Sequence, residues 1–96
     1  MPTMRRTDEF DRWLKGLRDT RARAKVLVRL ERLANGNPGD IEPVGEGVSE
    51  MRIDFGPGYR VYIKRTGDDV AVLWGGDKDS QQADIGKAKT LAKNTE

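Results

Sequence analysis

Apolar residues in the first third of the chain recur every three to four positions, which predicts two consecutive helices. The first is expected to begin after Thr7 as N-cap, with an apolar face formed by Phe10, Trp13, Leu14 and Leu17. The second is expected to be capped by Asp19 or Thr20, to end at Asn35-Gly36, and to bury a stripe of Val26, Leu27, Leu30, Leu33 and Ala34. The link between them is short, so an antiparallel helical hairpin is expected.

The period then changes from helical spacing to strict alternation, which predicts β-strands. Three strands are expected, with apolar positions at Met51, Ile53 and Phe55, then at Tyr59, Val61 and Ile63, and then at Val70, Val72 and Trp74. Gly56-Pro57-Gly58 and Thr66-Gly67-Asp68-Asp69 form the turns between them, and Gly75-Gly76 is expected to end the third strand. Short turns of this kind predict an antiparallel meander.

Shorter elements at both ends complete the predicted fold. Residues 2–6 are expected to form an edge strand. Asp79 and Gln82 have the spacing of a capping box, and the helix after them carries a thin apolar stripe of Ile85, Ala88, Leu91 and Ala92. This order of elements predicts one α+β domain over residues 1–96, with helices packed on one face of an antiparallel sheet and a frayed end at residues 93–96.

The composition limits the chemistry that the chain can perform. It contains neither cysteine nor histidine. Disulfides and thiolate chemistry are therefore excluded, and so are the commonest metal ligand and the commonest proton-transfer group. Any catalysis must use Lys, Arg, Tyr, Asp or Glu, and no metal or cofactor is expected. No signal peptide and no apolar stretch of about 18 residues is present, so a cytoplasmic protein without a membrane partner is expected.

The net charge of +2 is unevenly distributed along the chain. Residues 1–33 carry ten Lys or Arg and five Asp or Glu, whereas residues 34–58 carry one Arg and five acidic residues. A basic helical section beside a mixed sheet suits a polyanionic partner. The alternative is a solvated helix face with no binding role.

Alternation along the strands gathers polar side chains on one side of the predicted sheet. If the apolar positions face the helices, the other side carries Glu50, Arg52, Arg60, Tyr62 and Lys64, with Lys78 just beyond the last strand and Arg65 next to Lys64. This set fits cleavage of RNA by its own 2′-hydroxyl, which needs a base, cations for the phosphate and a proton donor for the 5′-oxygen. Arginine matches phosphate bidentately, and an aromatic ring beside the cations stacks an unpaired base.

A simpler interpretation of the same residues stays open. Half-exposed sheets ordinarily alternate apolar and charged side chains, and Glu50 with Arg52 forms an ion pair of little energetic value if both are solvated. Gly56-Pro57-Gly58 is first of all a tight turn. The spacing of Gly39 and Gly45 lacks the following Lys-Ser/Thr of a phosphate-binding loop.

Five stretches together resemble a known family of bacterial toxins. The family is that of the killer proteins of addiction modules, in the HigB-like branch of the RelE/ParE type. The resemblance begins with Phe10-Asp11-Arg12-Trp13-Leu14, Leu17 and Asp19, and it continues in the segments at residues 36–40 and 44–53. The segments at residues 56–62 and 75–85 match that family's GPGYRVY and GGDKxxQxxDI patterns. The resemblance spans roughly residues 5–90.

The resemblance implies a RelE-like fold and the toxin of a type II toxin–antitoxin system. Such toxins are held inactive by an antitoxin, often with a helix-turn-helix DNA-binding domain, and the free toxin typically cleaves mRNA on the ribosome and stops translation. It implies that Arg60 contacts the scissile phosphate, with Arg52 and Lys78 as further catalytic cations and Glu50 as the base. Tyr62, Lys64 and Arg65 are then expected to contact RNA. An acidic antitoxin segment is expected to cover the basic helical section of residues 12–32 or the open sheet face.

The chain departs from some ribosome-dependent members, which place a histidine or a tyrosine near the C-terminus. It has no histidine and no tyrosine after Tyr62, so Lys78 is the expected proton donor, with Arg52 or Lys64 as alternatives. Two other functions remain open because a fold does not determine a function. One is inhibition of DNA gyrase, as in the ParE branch, and the other is a binding module without catalytic activity.

Overall fold

Five strands and three helices follow one another in the computed structural model, which describes residues 3–94. Their order is β1 (Met4–Arg6), α1 (Asp8–Gly16), α2 (Thr20–Ala34), β2 (Ile41–Gly45), β3 (Val48–Ile53), β4 (Tyr59–Thr66), β5 (Asp69–Asp77) and α3 (Gln81–Lys93). The α+β class is as predicted. At the C-terminus, Lys93 is the last residue of α3, and Thr95 and Glu96 of the expected frayed end lie outside the described residues. At the N-terminus, Pro2 of the expected edge strand also lies outside them.

The strands form one mixed sheet in the order β1-β5-β4-β3-β2. The pairs β2·β3, β3·β4 and β4·β5 are antiparallel, as expected for a meander. β1 lies at the edge, as predicted, but it runs parallel to β5, so the prediction of a fully antiparallel sheet is wrong. The helices between β1 and the other strands allow this pairing, because a parallel pair needs a long connection.

The helix boundaries follow the capping residues that the sequence predicts. The Thr7 side chain accepts a hydrogen bond from the backbone N–H of Phe10, and the Asp19 side chain accepts one from Arg21. Asn35 caps the end of α2, and Gly36 follows with φ of 88°, a conformation that favours glycine. The three predicted boundaries are confirmed.

The main core lies between helices α1 and α2 and one face of the sheet. Its buried residues are Phe10, Leu14, Val26, Leu30 and Leu33 from the helices and Met51, Ile53, Val61, Ile63, Val70 and Val72 from the strands. Leu27 was expected in this core, but 43% of its surface is exposed. It lies about 100° around the helix from Val26, which is far enough to leave the buried stripe.

Helix α3 packs on the opposite face of the sheet. Ala88 and Ala92 of the helix are buried there against Val48, Tyr62, Ala71 and Leu73 of three strands. The predicted packing of the N-terminal helical hairpin on one face is confirmed. The prediction that all the helices share that face is wrong, because the thin apolar stripe of α3 packs on a second apolar surface on the other side of the sheet. This placement determines which of the candidate site residues remain accessible.

Strand β2 has no counterpart among the predicted elements. It pairs with β3 through a two-residue turn in which Glu46 has φ of 55° and Gly47 has φ of 79°. Two consecutive positive φ angles are typical of the tight turns that join hairpin strands. The Gly-Glu-Gly sequence at residues 45–47, between Val44 and Val48, is the signal that predicts this hairpin.

Strand β5 continues through Gly75 and Gly76 to Asp77, so the prediction that these glycines end the strand is wrong. Ile63 pairs with Val72 while Tyr62 pairs with Trp74, so Leu73 forms a β-bulge that shifts the register between β4 and β5. Trp74 therefore packs with Leu73 on the α3 side, and not with Val72 as strict alternation predicts.

The start of α3 also differs from the predicted capping box. Ser80 is the N-cap and makes no side-chain capping bond, so Asp79 is not the cap. The Asp77 side chain instead accepts hydrogen bonds from the backbone N–H groups of Asp79 and Ser80, at 2.9 and 3.3 Å. In residues 3–94, no helix has both the length and the apolar character needed to cross a membrane.

Candidate functional site

The residues predicted to share one side of the sheet are neighbours across β3 and β4. Glu50 lies opposite Tyr62, and Arg52 lies opposite Arg60. The Tyr62 hydroxyl and the Glu50 carboxylate are in contact, and Lys64 reaches the backbone of α3. Alternation therefore predicted correctly which residues are brought together.

That side of the sheet is not open, however, because α3 covers it. Glu50 is 2% exposed and Tyr62 is fully buried. The prediction that Tyr62 stacks an RNA base is therefore wrong. The prediction that Glu50 acts as a base on a bound substrate also fails, because its carboxylate does not reach the surface.

The Glu50 carboxylate is held by neutral donors and faces one cation. The Tyr62 hydroxyl donates to Oε2 at 3.1 Å. The Gln81 amide, at the start of α3, donates to Oε1 and Oε2 at 3.1 and 2.9 Å. Arg60 Nε lies 3.8 Å from Oε1. A buried carboxylate needs such partners, since burying an isolated charge is costly.

Burial raises the pKa of the Tyr62 hydroxyl well above its ordinary value, and the negative charge of Glu50 raises it further. The folded protein therefore holds this proton more tightly than the unfolded chain, in which tyrosine has a pKa of about 10. The hydroxyl stays protonated and donates to Glu50 at neutral pH.

The stability of the protein is expected to fall as the pH rises above about 10, because the unfolded chain then loses a proton that the folded state keeps. The free energy of unfolding should decrease by up to about 1.4 kcal/mol per pH unit for this one group. Denaturant unfolding of the wild type and of Tyr62→Phe between neutral and strongly alkaline pH measures the difference. Identical slopes above pH 10 in the two proteins would contradict the assignment.

A second buried carboxylate, Asp84 of α3, lies on the same side of the sheet. Its Oδ1 accepts a hydrogen bond from Trp74 Nε1 at 2.9 Å, and its Oδ2 accepts one from the Ser80 hydroxyl. Sequence reasoning missed Asp84 as a structural residue. Its spacing of four from Ala88 places it on the buried stripe of α3, which is the signal that predicts its burial.

The accessible part of the predicted site is a groove of about 540 Å³ beside the turn between β3 and β4. Arg60 and Lys78 line it, and Lys78 is exposed in the loop before α3. Gly58 accepts a hydrogen bond on its carbonyl from Arg60 Nη1 at 3.2 Å, which holds the guanidinium at the turn. The other lining residues are Asp40, Arg52, Ile53, Asp54, Gly56 and Pro57.

Arg52 is already paired within the protein. Its Nη2 lies 3.1 Å from Asp40 and its Nη1 lies 2.9 Å from Glu42. The hydrogen bond with Asp40 and that residue's negative charge raise the pKa of Arg52 above its usual value. The charge of Arg52 is thus partly neutralised by the two carboxylates beside it.

Arg29 supports this corner of the molecule, a role that sequence analysis did not predict. Its guanidinium donates to the backbone carbonyl of Arg52, and also to those of Pro38 and Asp40 at 3.1 and 3.2 Å. Helix α2 is thereby tied to the end of β3 and to the segment before β2. Arg29 belongs to the basic helical section, which was predicted to be either a solvated face or a surface for a partner.

A protein from Haemophilus influenzae, described as uncharacterized, is 52% identical to the chain over 84 residues. The match covers 86% of this chain and 85% of the relative. The chain belongs to the same protein family. No family model matches the chain, and no solved structure matches it.

In this chain, two of the predicted RNA-binding residues lie outside the groove. Lys64 donates to the backbone carbonyl of Ala92 at 3.3 Å, and Arg65 is exposed near the far end of β4. Neither side chain lines the groove. Among residues 3–94, no group of three acidic side chains is arranged to hold a metal ion. Of the predicted catalytic residues, the groove brings together Arg52, Arg60 and Lys78.

Proposed function

We propose that the protein is the toxin of a toxin–antitoxin pair and that its free form cleaves mRNA on the ribosome. One observation carries the proposal: Arg52, Arg60 and Lys78, from β3, β4 and the loop before α3, line a single groove. A groove with several cations and one partly buried arginine suits a phosphodiester, because arginine binds phosphate in a bidentate manner. The family resemblance of residues 5–90 supplies the expectation of RNA as the substrate.

The reaction is cleavage by the RNA itself. The 2′-oxygen attacks phosphorus, the bond from phosphorus to the 5′-oxygen breaks, and a 2′,3′-cyclic phosphate and a 5′-hydroxyl result. Arg60 stabilises the charge on the phosphate, and Lys78 donates a proton to the departing 5′-oxygen. Since Glu50 is buried, Asp40 on the groove wall accepts the proton of the 2′-hydroxyl.

The burial of Glu50 favours a second candidate function, a module that binds RNA in the same groove without cleaving it. Asp40 is already paired with Arg52 at 3.1 Å, which weakens it as a proton acceptor. The two functions differ in their product, because the module leaves transcripts intact. The gyrase alternative of the ParE branch has no feature of this groove in its favour.

The antitoxin is proposed to cover the outer face of α2. Leu27 and Val28 are the large apolar side chains most exposed among the described residues. Lys25 and Arg32 line a hollow with Val28 on the same helix. A partner segment with apolar and acidic side chains complements this surface.

Brief induction of the chain in cells, followed by mapping of transcript ends, tests the proposed cleavage. New ends are expected in the wild type while ribosomes translate, and about a hundredfold fewer in Lys78→Ala, because a positioned proton donor typically contributes at least that factor. Lys15→Ala, an exposed lysine of α1 outside the groove, is the matched control and should behave as the wild type.

Three outcomes separate the candidates. Unchanged cleavage in both Lys78→Ala and Asp40→Asn would place the chemistry outside the groove. Inhibited translation without new transcript ends would favour the binding module. Loss of DNA supercoiling with intact transcripts would favour inhibition of gyrase.

A further inference from the structure

The Arg60 guanidinium is fixed on one side and open on the other. Its Nη1 donates to the carbonyls of Gly58 and Tyr59, at 3.2 and 3.4 Å. Its Nε is buried and has no hydrogen-bond partner, and it faces the Glu50 carboxylate at 3.8 Å. The remaining nitrogen is Nη2, and Arg60 lines the groove with 13% of its side chain exposed.

The Glu50 carboxylate, in turn, is fixed from behind. Tyr62 comes from the neighbouring strand, and Gln81 comes from the first turn of α3. Both donors are neutral, so neither competes with Arg60 as the counter-charge of the carboxylate. The distance of 3.8 Å exceeds a normal hydrogen bond, which leaves room for the guanidinium to move when its outer edge binds an anion.

We propose that Glu50 is a positioning residue for Arg60, and that Gln81 and Tyr62 hold it in place. The buried carboxylate orients the guanidinium so that its outer edge presents two donors to one phosphate of single-stranded RNA. The distance between Glu50 Oε1 and Arg60 Nε shortens to a hydrogen bond when the phosphate binds. This proposal rests on the proposed function for the identity of the ligand, and assigns to Glu50 a role other than that of a base.

The arrangement also couples the seating of α3 to the groove. Gln81 lies at the start of α3, one turn before Asp84, whose carboxylate ties the helix to Trp74 of β5. Gln81 therefore reaches Glu50 only while α3 is seated on the sheet. A change that loosens the start of α3 is expected to weaken phosphate binding although it touches no groove residue.

The test measures the Arg60 Nε–H signal by NMR and the affinity for a single-stranded RNA oligonucleotide with 2′-O-methyl groups, which cannot be cleaved by its own 2′-oxygen. In the wild type the signal is expected to exchange slowly with water and to shift when the oligonucleotide binds. In Glu50→Gln the signal should lose its protection, and the affinity should fall about tenfold. This magnitude is taken by analogy from metal sites, where losing a residue that orients a ligand costs at least that factor.

Two further sets of variants keep the test decisive. Gln81→Leu and Tyr62→Phe keep Glu50 itself but remove one of its donors each, so they decide the question if Glu50→Gln fails to fold. Each is expected to alter the Arg60 signal and weaken binding, while thermal unfolding at neutral pH still reports a folded protein. Lys78→Ala is expected to weaken binding with the Arg60 signal unchanged, because Lys78 does not contact Glu50.

The outcomes distinguish this proposal from the proposed function. An Arg60 signal that is the same in the wild type, Glu50→Gln and Gln81→Leu would overturn the positioning role. A signal that changes as expected in a chain that binds no oligonucleotide would support the role of Glu50 and overturn the assignment of RNA as ligand. Weaker binding in Lys78→Ala with normal binding in Glu50→Gln would retain the groove and remove Glu50 from it.

Discussion

Replacing Gly75 with alanine is expected to destabilise the protein by about 3 kcal/mol, the upper part of the usual range for overfilling a packed core. A Cβ at this position meets the indole ring of Trp13. The ring is held on its other sides by Phe10 and Tyr59, with ring centroids 5.7 and 6.1 Å away. The backbone of β5 cannot move aside, because it is hydrogen-bonded to β4. Chemical denaturation at neutral pH measures the loss.

Gly86→Ala is the matched control for this substitution. Gly86 lies in the middle of α3, and a Cβ there has no neighbour within 4 Å. Alanine is favoured over glycine inside a helix, so this change should stabilise the protein by about 0.5–1 kcal/mol. If both variants are equally stable, Gly75 is not packed against Trp13 as described.

The elements near the N-terminus were predictable because their signals are local. Thr7 and Asp19 cap helices through hydrogen bonds to residues two or three positions away. Asn35-Gly36 ends α2 through its backbone conformation and through backbone hydrogen bonds to carbonyls of the last helical turn. The apolar period within each helix likewise needs no knowledge of the rest of the chain, and it predicted the helical residues of the main core, with Leu27 as an exception.

Gly75 and Gly76 show why the end of β5 was not predictable in the same way. Glycine usually marks a turn, and two in succession favour the end of a strand. Here they lie inside a strand because a ring and a carboxylate approach the backbone, Trp13 at Gly75 and Asp84 at Gly76. Trp13 is distant in sequence, and Asp84 belongs to the following helix, so only the folded chain shows the reason.

The accessibility of the site could not be predicted for a related reason. Alternation correctly predicted that Glu50 and Tyr62 share a side of the sheet, but it carries no information on what covers that side. The apolar stripe of α3 is thin, with Ala88 and Ala92 as its buried apolar residues, and small side chains of this kind predict no particular surface. The resemblance to GGDKxxQxxDI contained Gln81 and Asp84, the two residues through which α3 holds the polar side chains beneath it.

Arg60→Met is expected to cost about 3 kcal/mol of stability, the lower end of the range for removing one partner of a buried ion pair. Glu50 is 2% exposed, and the substitution leaves its charge in the interior without a cation. The distance of 3.8 Å between the two groups makes the pair a loose one, which places the expected cost at the lower end. This loss is large enough to reduce the amount of folded protein in a cell, so a harmless Arg60 variant does not by itself prove a catalytic role.

The double variant Glu50→Gln/Arg60→Met separates the loss of the ion pair from the loss of packing. Removing the stranded charge should restore most of the stability, because glutamine keeps the shape of the side chain and still accepts a hydrogen bond from Tyr62 or Gln81. The effects of the two single substitutions should therefore be strongly non-additive in a double-mutant cycle. Additive losses would mean that Glu50 and Arg60 do not interact in the folded protein. Arg60 would then have no buried carboxylate beside it to distinguish it from the exposed Lys78.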